Sequence, residues 1–287
     1  MAVTEVTISQ INWGPLLQLH PTIIICGARG SGKSVMVKDI MFEAHKIGVP
    51  RCVVFSQTEG ANSHFASFVP GICVHCPITV EAVANVWASQ KELAIKKRIG
   101  QLPPETNISL MMVMDDAAFN KKLIASPSLR EVFLNGRHSS ITLIMTLQYL
   151  MDLPVSMRSN ADIGVFLNDT NQKNRERIFN NFCGCFSDFY TFNRTFADCT
   201  ENNEAFCVNR KAKSNAISDC VNYYKARFNL DFKFGAPETW VYHNRRFLSE
   251  EEEYLQKQHK LQAAAGADSS TKTSISVKGD TLKINRI

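Results

Sequence analysis

A short apolar run, a glycine-rich loop and a helical pattern follow one another in residues 23–46, and they constrain the fold more than any other segment. The run Ile23-Ile24-Ile25-Cys26 is typical of a buried strand, and the amphipathic stretch Val35–Lys46 is typical of a helix. Between them the chain reads G-x-x-x-x-G-K-[ST], from Gly27 to Ser34. A strand, this loop and a helix in that order predict a phosphate-binding P-loop.

The residues of this loop suit the binding of a nucleoside triphosphate. Backbone N–H groups must point at the phosphates, and glycines permit the tight turn because they carry no Cβ. We expect Lys33 to reach the β- and γ-phosphates and Ser34 to place its hydroxyl on Mg²⁺, at the positive end of the following helix. The residues predicted to bind nucleotide are Gly27, Ala28, Arg29, Gly30, Ser31, Gly32, Lys33 and Ser34.

The composition is that of a globular protein without a membrane span. The 287 residues are 45% hydrophobic and 21% charged, which is enough to bury one large core. No apolar run approaches the roughly 20 residues that a bilayer requires, and residues 1–10 lack the pattern of a signal peptide. We therefore expect an intracellular location.

The cysteines and the net charge say less about the function of the protein than the P-loop pattern does. Nine cysteines, several of them within apolar runs, favour reduced thiols over disulfides. Cys73 and Cys76 have the spacing of half a zinc site, but without a second such pair they are interpreted as core or edge residues, and metal binding stays an open alternative. The net charge of +5 permits an acidic partner. Basic clusters that could contact a phosphodiester backbone are Lys96-Lys97-Arg98, Lys121-Lys122 and Arg210–Lys213.

Strand-like runs alternate with helical patterns, which predicts an α/β fold with a mostly parallel central sheet and helices on both faces. We interpret residues 21–248 as one P-loop domain and residues 1–20 as a lead-in, in which Trp13 packs against the core or the nucleotide base. The acidic and then small, polar composition of residues 249–287 predicts a mobile or partner-dependent tail. Predicted strands are Thr22–Cys26, Arg51–Phe55, Ile72–Cys76, Leu110–Asp115, Ile141–Gln148, Asp162–Leu167 and Ala205–Asn209, and predicted helices are Lys33–Lys46, Thr79–Arg98, Ser128–Asn135 and Gln172–Phe182.

Two strand patterns end in polar residues that would complete a hydrolytic site. Asp115 and Asp116 follow the buried pattern that starts at Leu110, and ligands bind at the carboxyl ends of strands in such sheets. We expect Asp115 to hold Mg²⁺ beside Ser34, and Asp116 to activate or orient the attacking water. Gln148 ends another strand pattern and would hydrogen-bond the water and the γ-phosphate. A simple turn for the Asp pair, and an ordinary strand-end glutamine, are the alternatives.

Two arginines could stabilise the transferring phosphoryl group of a neighbouring subunit. Arg137 lies between a predicted helix and the strand that ends at Gln148, and Arg158 lies just before the next strand. An arginine supplied by a neighbour can raise the rate of phosphoryl transfer by roughly a thousandfold or more. Either residue could equally form a surface or interdomain ion pair.

The order of these segments resembles the genome-packaging ATPases of large cytoplasmic DNA viruses, the poxvirus-type branch of the FtsK–HerA superfamily. The resemblance covers residues 15–210, and its most specific part is Gly136-Arg137-His138 followed by the strand that ends at Gln148. One position departs from the wider superfamily, because Asp116 stands where a glutamate is usual, although the viral branch commonly has two aspartates.

The resemblance implies an ASCE-type P-loop core in a ring of identical subunits, a pentamer or a hexamer. It implies Mg²⁺-dependent ATP hydrolysis that moves double-stranded DNA, without sequence preference, into a capsid. A capsid or portal-like vertex protein would then be a partner, and the virus factory of the host cytoplasm or the virion would be the location. A helicase or DNA-transfer motor of the same superfamily, and a nucleotide-gated assembly protein with little turnover, are the alternatives. The implied roles are phosphate and Mg²⁺ ligands for Lys33 and Ser34, metal carboxylate for Asp115, catalytic carboxylate for Asp116, sensor for Gln148 and arginine finger for Arg137 or Arg158.

Overall fold

The computed structural model describes residues 6–246, residues 255, 258 and 259, and two strands nearer the carboxyl terminus. Contacts divide the chain into two units, Met1–His243 and Asn244–Ile287. In the second unit, Ser274–Lys278 and Thr281–Asn285 pair as an antiparallel hairpin. Most of the predicted tail, 249–287, lies outside the described residues, and the boundaries predicted for the domains stay a prediction.

The segment 6–246, whose last three residues belong to the second unit, alternates strands and helices along the chain. Its strands are β1 (Ser9–Gln10), β2 (Thr22–Cys26), β3 (Arg51–Ser56), β4 (Val74–His75), β5 (Leu110–Asp115), β6 (Ile141–Leu147), β7 (Ile163–Phe166), β8 (Glu204–Asn209) and β9 (Val221–Lys225). Its helices are α1 (Trp13–Leu17), α2 (Lys33–Lys46), α3 (Glu59–Asn62), α4 (Val80–Arg98), α5 (Lys121–Ile124), α6 (Pro127–Asn135), α7 (Val155–Asn160), α8 (Gln172–Phe182), α9 (Phe189–Asp198), α10 (Ile217–Cys220) and α11 (Pro237–Arg246).

The strands within residues 6–246 form one sheet in the order β1-β9-β8-β7-β2-β6-β5-β3-β4. From β7 to β4 every neighbouring pair is parallel, whereas β8 runs antiparallel to both β7 and β9. Strand β6 lies between β2 and β5, although it comes last of the three in the chain. The carboxyl ends of β2, β6 and β5 are therefore neighbours at one edge of the sheet.

Helices cover both faces of this sheet, because its central strands are apolar on both sides. On β2, Ile23 and Ile25 belong to the core that includes α2, while Ile24 and Cys26 belong to the core that includes α6, α8 and α9. Every residue of β2, β5 and β6 is buried, as expected for parallel strands with helices above and below. The predicted α/β fold with a mostly parallel sheet is confirmed.

A buried charge cluster joins α2 to the segment after β9. Asp39 is fully buried, and its carboxylate accepts hydrogen bonds from the Tyr224 hydroxyl at 2.9 Å and from the backbone N and Nε of Arg227 at 2.7 and 3.0 Å. Burial, and then the Asp39 carboxylate, raise the pKa of Tyr224. The ring of Trp13 meets Tyr224 edge-on, with the ring centroids 5.7 Å apart. Trp13 thus packs against the core, which is the first of its two predicted positions.

Candidate active site

The predicted P-loop lies between β2 and α2. Gly30 and Gly32 adopt left-handed backbone angles, with φ of 76° and 100°, that residues with a Cβ rarely adopt. A Cβ on Gly27 would lie 2.6 Å from the Ser31 hydroxyl and 2.9 Å from the Cβ of Leu167. These three positions therefore require glycine, and the consensus spacing has a direct structural cause.

The Lys33 ammonium lies over this loop. Its Nζ donates hydrogen bonds to the carbonyl oxygens of Gly27 at 2.8 Å and Ala28 at 2.9 Å, and the Ser31 hydroxyl donates to Ala28 at 2.7 Å. Ser34 and Arg29 are exposed beside it. The loop thus presents the Lys33 ammonium, the exposed Ser34 hydroxyl and the amino terminus of α2 at the same place. Together these groups suit a phosphate group.

The sheet order brings the predicted second half of the site to the same edge. The backbone N of Gly27 donates to the carbonyl of Leu147 at 3.1 Å, so the P-loop starts beside the end of β6. On the other side of β6, Met114 pairs with Met145. Asp115 therefore ends one strand and Gln148 directly follows its neighbour, and both residues lie beside the P-loop, as the sequence predicts.

Asp115 is buried and held by two hydroxyl groups. Its Oδ1 accepts a hydrogen bond from Thr146 Oγ1 at 2.9 Å, and its Oδ2 accepts one from Ser56 Oγ at 3.2 Å. Burial raises the pKa of Asp115, and the two hydroxyl donors act in the opposite direction. A divalent cation would favour the ionised form and offset the burial.

Asp116 and Gln148 contact each other directly. Gln148 Nε2 donates to Asp116 Oδ2 at 2.7 Å. The backbone of Asp116 is left-handed, with φ of 50°, and its N–H donates to Thr146 Oγ1 at 2.8 Å. One hydroxyl, that of Thr146, therefore holds the carboxylate of Asp115 and the backbone of Asp116. Backbone strain of this kind persists where surrounding contacts fix it, and it is common at functional sites.

Sequence reasoning missed the two hydroxyl residues of this network. Thr146 is fully buried within an apolar strand and Ser56 is fully buried at the end of β3. A hydroxyl in a buried strand needs a partner, so Thr146 carried a usable signal. Its partners could be identified only once β6 was placed beside β5.

Glu59, another acidic residue near this edge, has a structural role. It is buried, and its two carboxylate oxygens accept the backbone N–H groups of Phe65 at 3.1 Å and Ala66 at 2.7 Å. Both oxygens thus stabilise the turn after α3. Asp116, which is only half-buried, is better placed than Glu59 to meet a water molecule.

The two predicted arginine fingers differ in exposure. Arg158 is 6% exposed, its Nε donates to Asn181 Oδ1 at 3.1 Å, and its Nη1 donates to the carbonyl of Leu153. These contacts fix α7 against α8 inside one subunit, and they contradict the interpretation of Arg158 as a finger that reaches a neighbour. Arg137 is exposed on the turn Gly136–Ser139, at the amino end of β6. It lies at the opposite end of β6 from the P-loop, so it does not belong to the candidate site of its own chain.

The donor set at the carboxyl edge fits Mg²⁺. The Ser34 hydroxyl and the Asp115 carboxylate are hard oxygen ligands, and Mg²⁺ is commonly held by one or two such groups together with substrate phosphates. Within residues 6–246, no group of three or more His, Cys, Asp or Glu side chains is arranged to hold a metal ion by itself. All nine cysteines, including Cys73 and Cys76, carry free thiols. In the part of the chain that the structure describes, no helix has both the length and the apolar character needed to cross a membrane.

Fold and site together define a P-loop NTPase of the ASCE type, in which an additional strand, here β6, separates the P-loop strand from the strand that ends in the acidic residue. The chain belongs to the poxvirus A32 protein family, whose model matches residues 9–182. An uncharacterized protein of Acanthamoeba polyphaga mimivirus is 30% identical over 234 residues, 81% of each chain. An uncharacterized protein of Invertebrate iridescent virus 3 is 28% identical over 246 residues, 82% of this chain and 90% of that protein. The resemblance seen in the sequence is confirmed.

Solved structures share the fold at low sequence identity. The genome packaging NTPase B204 from Sulfolobus turreted icosahedral virus 2, in complex with AMPPCP, matches with a TM-score of 0.53 and 13% identity, over 73% of this chain and 100% of that chain. The pCW3 conjugation coupling protein TcpA, in its monomer form with ATPgS, matches with a TM-score of 0.52 and 13% identity, over 84% of this chain and 66% of that chain.

Proposed function

We propose that this protein is a Mg²⁺-dependent ATPase that moves double-stranded DNA into a viral capsid. The observation that supports the proposal most is the meeting of the P-loop with Asp115, Asp116 and Gln148 at the ends of three adjacent strands. Membership of the A32 family, and the fold shared with a viral genome packaging NTPase, support the assignment to packaging.

The proposed chemistry divides among the residues of the site. The backbone of the P-loop and Lys33 bind the triphosphate, while Ser34 and Asp115 hold Mg²⁺, which supplies charge neutralisation at the phosphates. Asp116 orients a water molecule for in-line attack on the γ-phosphorus and accepts its proton. The bond between the γ-phosphorus and the bridging oxygen breaks, which releases ADP and phosphate.

Gln148 links this chemistry to the presence of the γ-phosphate. In the structure its amide donates to Asp116 Oδ2. This contact occupies the oxygen of Asp116 that would otherwise be free to bind a water molecule. We propose that the amide turns toward the γ-phosphate when ATP binds and frees Asp116 for the water. Hydrolysis would then follow binding in a fixed order.

The proposed partners use exposed residues away from the P-loop. Arg137 is exposed and would complete the site of the next subunit in a pentameric or hexameric ring. Lys121 and Lys122 are exposed on α5, shortly after the acidic pair, and would contact the DNA backbone without sequence preference. A capsid or portal-like vertex protein as partner, and the virus factory or the virion as location, follow from the family.

Hydrolysis stimulated by double-stranded DNA is the decisive measurement. Lys33→Ala is expected to weaken nucleotide binding, whereas Asp116→Asn is expected to bind nucleotide normally and to lose hydrolysis. Asp198→Asn, an exposed carboxylate on α9, is the matched control and should behave as wild type. A wild-type protein that assembles into rings but shows no ATPase activity stimulated by double-stranded DNA would refute the proposal.

Two further assays separate the alternatives. Strand separation by the wild-type protein would favour a helicase or DNA-transfer motor, the second of which also has a fold relative in TcpA. Normal assembly and function of Asp116→Asn would favour a nucleotide-gated assembly protein. Mixing Arg137→Ala with Lys33→Ala subunits tests the finger, because an arginine that acts across subunits predicts partial rescue of hydrolysis in mixed rings.

A further inference from the structure

A cation–π pair of side chains, Tyr149 and Arg177, joins the candidate active site to α8. Tyr149 directly follows Gln148, and the guanidinium carbon of Arg177 lies 5.0 Å from the centroid of its ring. Both side chains line a narrow crevice together with Cys26, the last residue before the P-loop. The pair therefore lies at the border of the nucleotide site.

Contacts along α8 fix the guanidinium group of Arg177. Its Nη1 donates to Asn174 Oδ1 at 3.1 Å, and Asn174 Nδ2 donates to Asp169 Oδ2 at 2.9 Å. The other oxygen of Asp169 accepts the backbone N–H of Asn171 at 2.8 Å, at the start of the helix. Ile178, next to Arg177, is buried in the core under the sheet. The position of the guanidinium is thus set by the folded helix.

Gln148, in contrast, lies just beyond the hydrogen-bonded ladder. Strand β6 ends at Leu147, which pairs with Cys26, so the conformation of Gln148 depends on the groups on either side of it. On one side is the ladder, and on the other is Tyr149, whose ring lies against Arg177. A change in the backbone of Tyr149 would displace the Gln148 amide, both from its contact with Asp116 and from the position that allows it to turn toward the γ-phosphate.

We propose that Arg177, acting through the ring of Tyr149, positions Gln148 for hydrolysis. This inference rests on the proposed ATPase function and adds two positioning residues to it. A lysine at the same position keeps the charge but loses the guanidinium fork, whose Nη1 donates to Asn174 and holds the group over the ring. Arg177→Lys therefore distinguishes an effect of the guanidinium geometry from an effect of the positive charge.

Four variants and one matched control test the proposal through steady-state hydrolysis and the binding of a fluorescent ATP analogue. Arg177→Ala, Arg177→Lys and Tyr149→Ala are each expected to lower kcat on the order of tenfold, with analogue affinity within about twofold of wild type. Tyr149→Phe keeps the ring and should retain wild-type kcat. Lys173→Ala removes a charge from an exposed position of the same helix and should also match wild type.

Several outcomes would overturn the proposal. They are unchanged kcat in Arg177→Ala, full activity in Arg177→Lys, or a loss of analogue affinity as large as the loss of kcat, since the last would make Arg177 a nucleotide ligand. Hydrogen exchange of residues 147–153 tests the same contact without hydrolysis. Exchange there should be faster in Arg177→Ala than in Lys173→Ala, and equal rates would contradict positioning. A wild-type protein without ATPase activity would refute the proposed function, while the exchange result would still test the contact between Tyr149 and Arg177.

Discussion

Replacing Thr146 with valine should damage the site without creating a cavity, because valine has nearly the same shape. The hydroxyl donates to Asp115 at 2.9 Å and accepts the N–H of Asp116 at 2.8 Å, and the side chain is fully buried. A hydrogen bond to a charged group contributes about 1.5–3 kcal/mol, and a buried N–H left without a partner costs about 1–3 kcal/mol. The two effects share one hydroxyl and do not simply add, so we expect a loss of about 3 kcal/mol.

The loss should appear in both stability and turnover. For a domain of this size, about 3 kcal/mol corresponds to a fall of roughly 6–12 °C in Tm. Asp116 would also lose one contact that holds its left-handed backbone, and displacement of a catalytic group by about 1 Å can lower the rate roughly a hundredfold. We expect kcat to fall by at least about tenfold, while the P-loop still binds nucleotide.

Thr142→Val is the matched control for this experiment. Thr142 is 2% exposed, lies on the same strand and the same face as Thr146, and pairs with Met111 well before the acidic residues. Calorimetry and steady-state hydrolysis of both variants would separate a general effect of removing a threonine from a specific effect on the carboxylates. Equal changes in the two variants would refute the role assigned to Thr146.

Three further predictions follow from burial. Asp39→Ala should lower the free energy of unfolding by about 3 kcal/mol in thermal unfolding, because the Tyr224 hydroxyl and the backbone N–H of Arg227 lose their acceptor, and a change below about 1 kcal/mol would contradict this. Arg158→Ala should lower Tm while exposed Arg137→Ala leaves it unchanged, and equal melting temperatures would contradict the assigned burial. Burial raises the pKa of Cys26 to about 12, so above the unfolded value of about 8.5 the unfolded chain loses this proton first. The contribution of Cys26 to stability should fall by about 1.4 kcal/mol per pH unit toward pH 12, and Cys26→Ala should show a shallower slope in alkaline unfolding.

Central strands and the helices α2 and α8 could be predicted from the sequence because local pattern and tertiary environment agree there. The predicted bounds of β2, β5, α2 and α8 are those of the structure. In these segments, apolar runs or a helical period end at glycines and polar caps. The P-loop was equally predictable, because local backbone geometry requires its glycines.

Elements whose formation depends on distant contacts were not predicted. Helix α9 is rich in residues of modest helix propensity, and its buried Phe192 and Phe196 pack against Phe206 of β8, with ring centroids 5.6 and 5.4 Å apart. The predicted strand Ile72–Cys76 contains a 3₁₀ turn, Gly71–Cys73, and only the short β4. In both cases tertiary packing decides the conformation.

The site shows the same division between local and distant information. Asp115, Asp116 and Gln148 end strand patterns and could be predicted, whereas the contacts of Thr146 with the Asp115 carboxylate and the Asp116 backbone depend on the order of strands in the sheet. The burial of Arg158 could not be predicted either, because an arginine before a strand has the same sequence pattern whether it faces solvent or the Asn181 side chain.

The placement of β6 between β2 and β5 also determines at what stage of synthesis the candidate nucleotide site is complete. The P-loop starts at Gly27, but its neighbour across the sheet is Leu147, so no fragment that stops before this residue contains the whole site. Contacts so distant in sequence form late, because closing long loops carries an entropic cost. The proposed nucleotide affinity would therefore arise only when the sheet is complete, and bound nucleotide should stabilise the finished fold over every shorter intermediate.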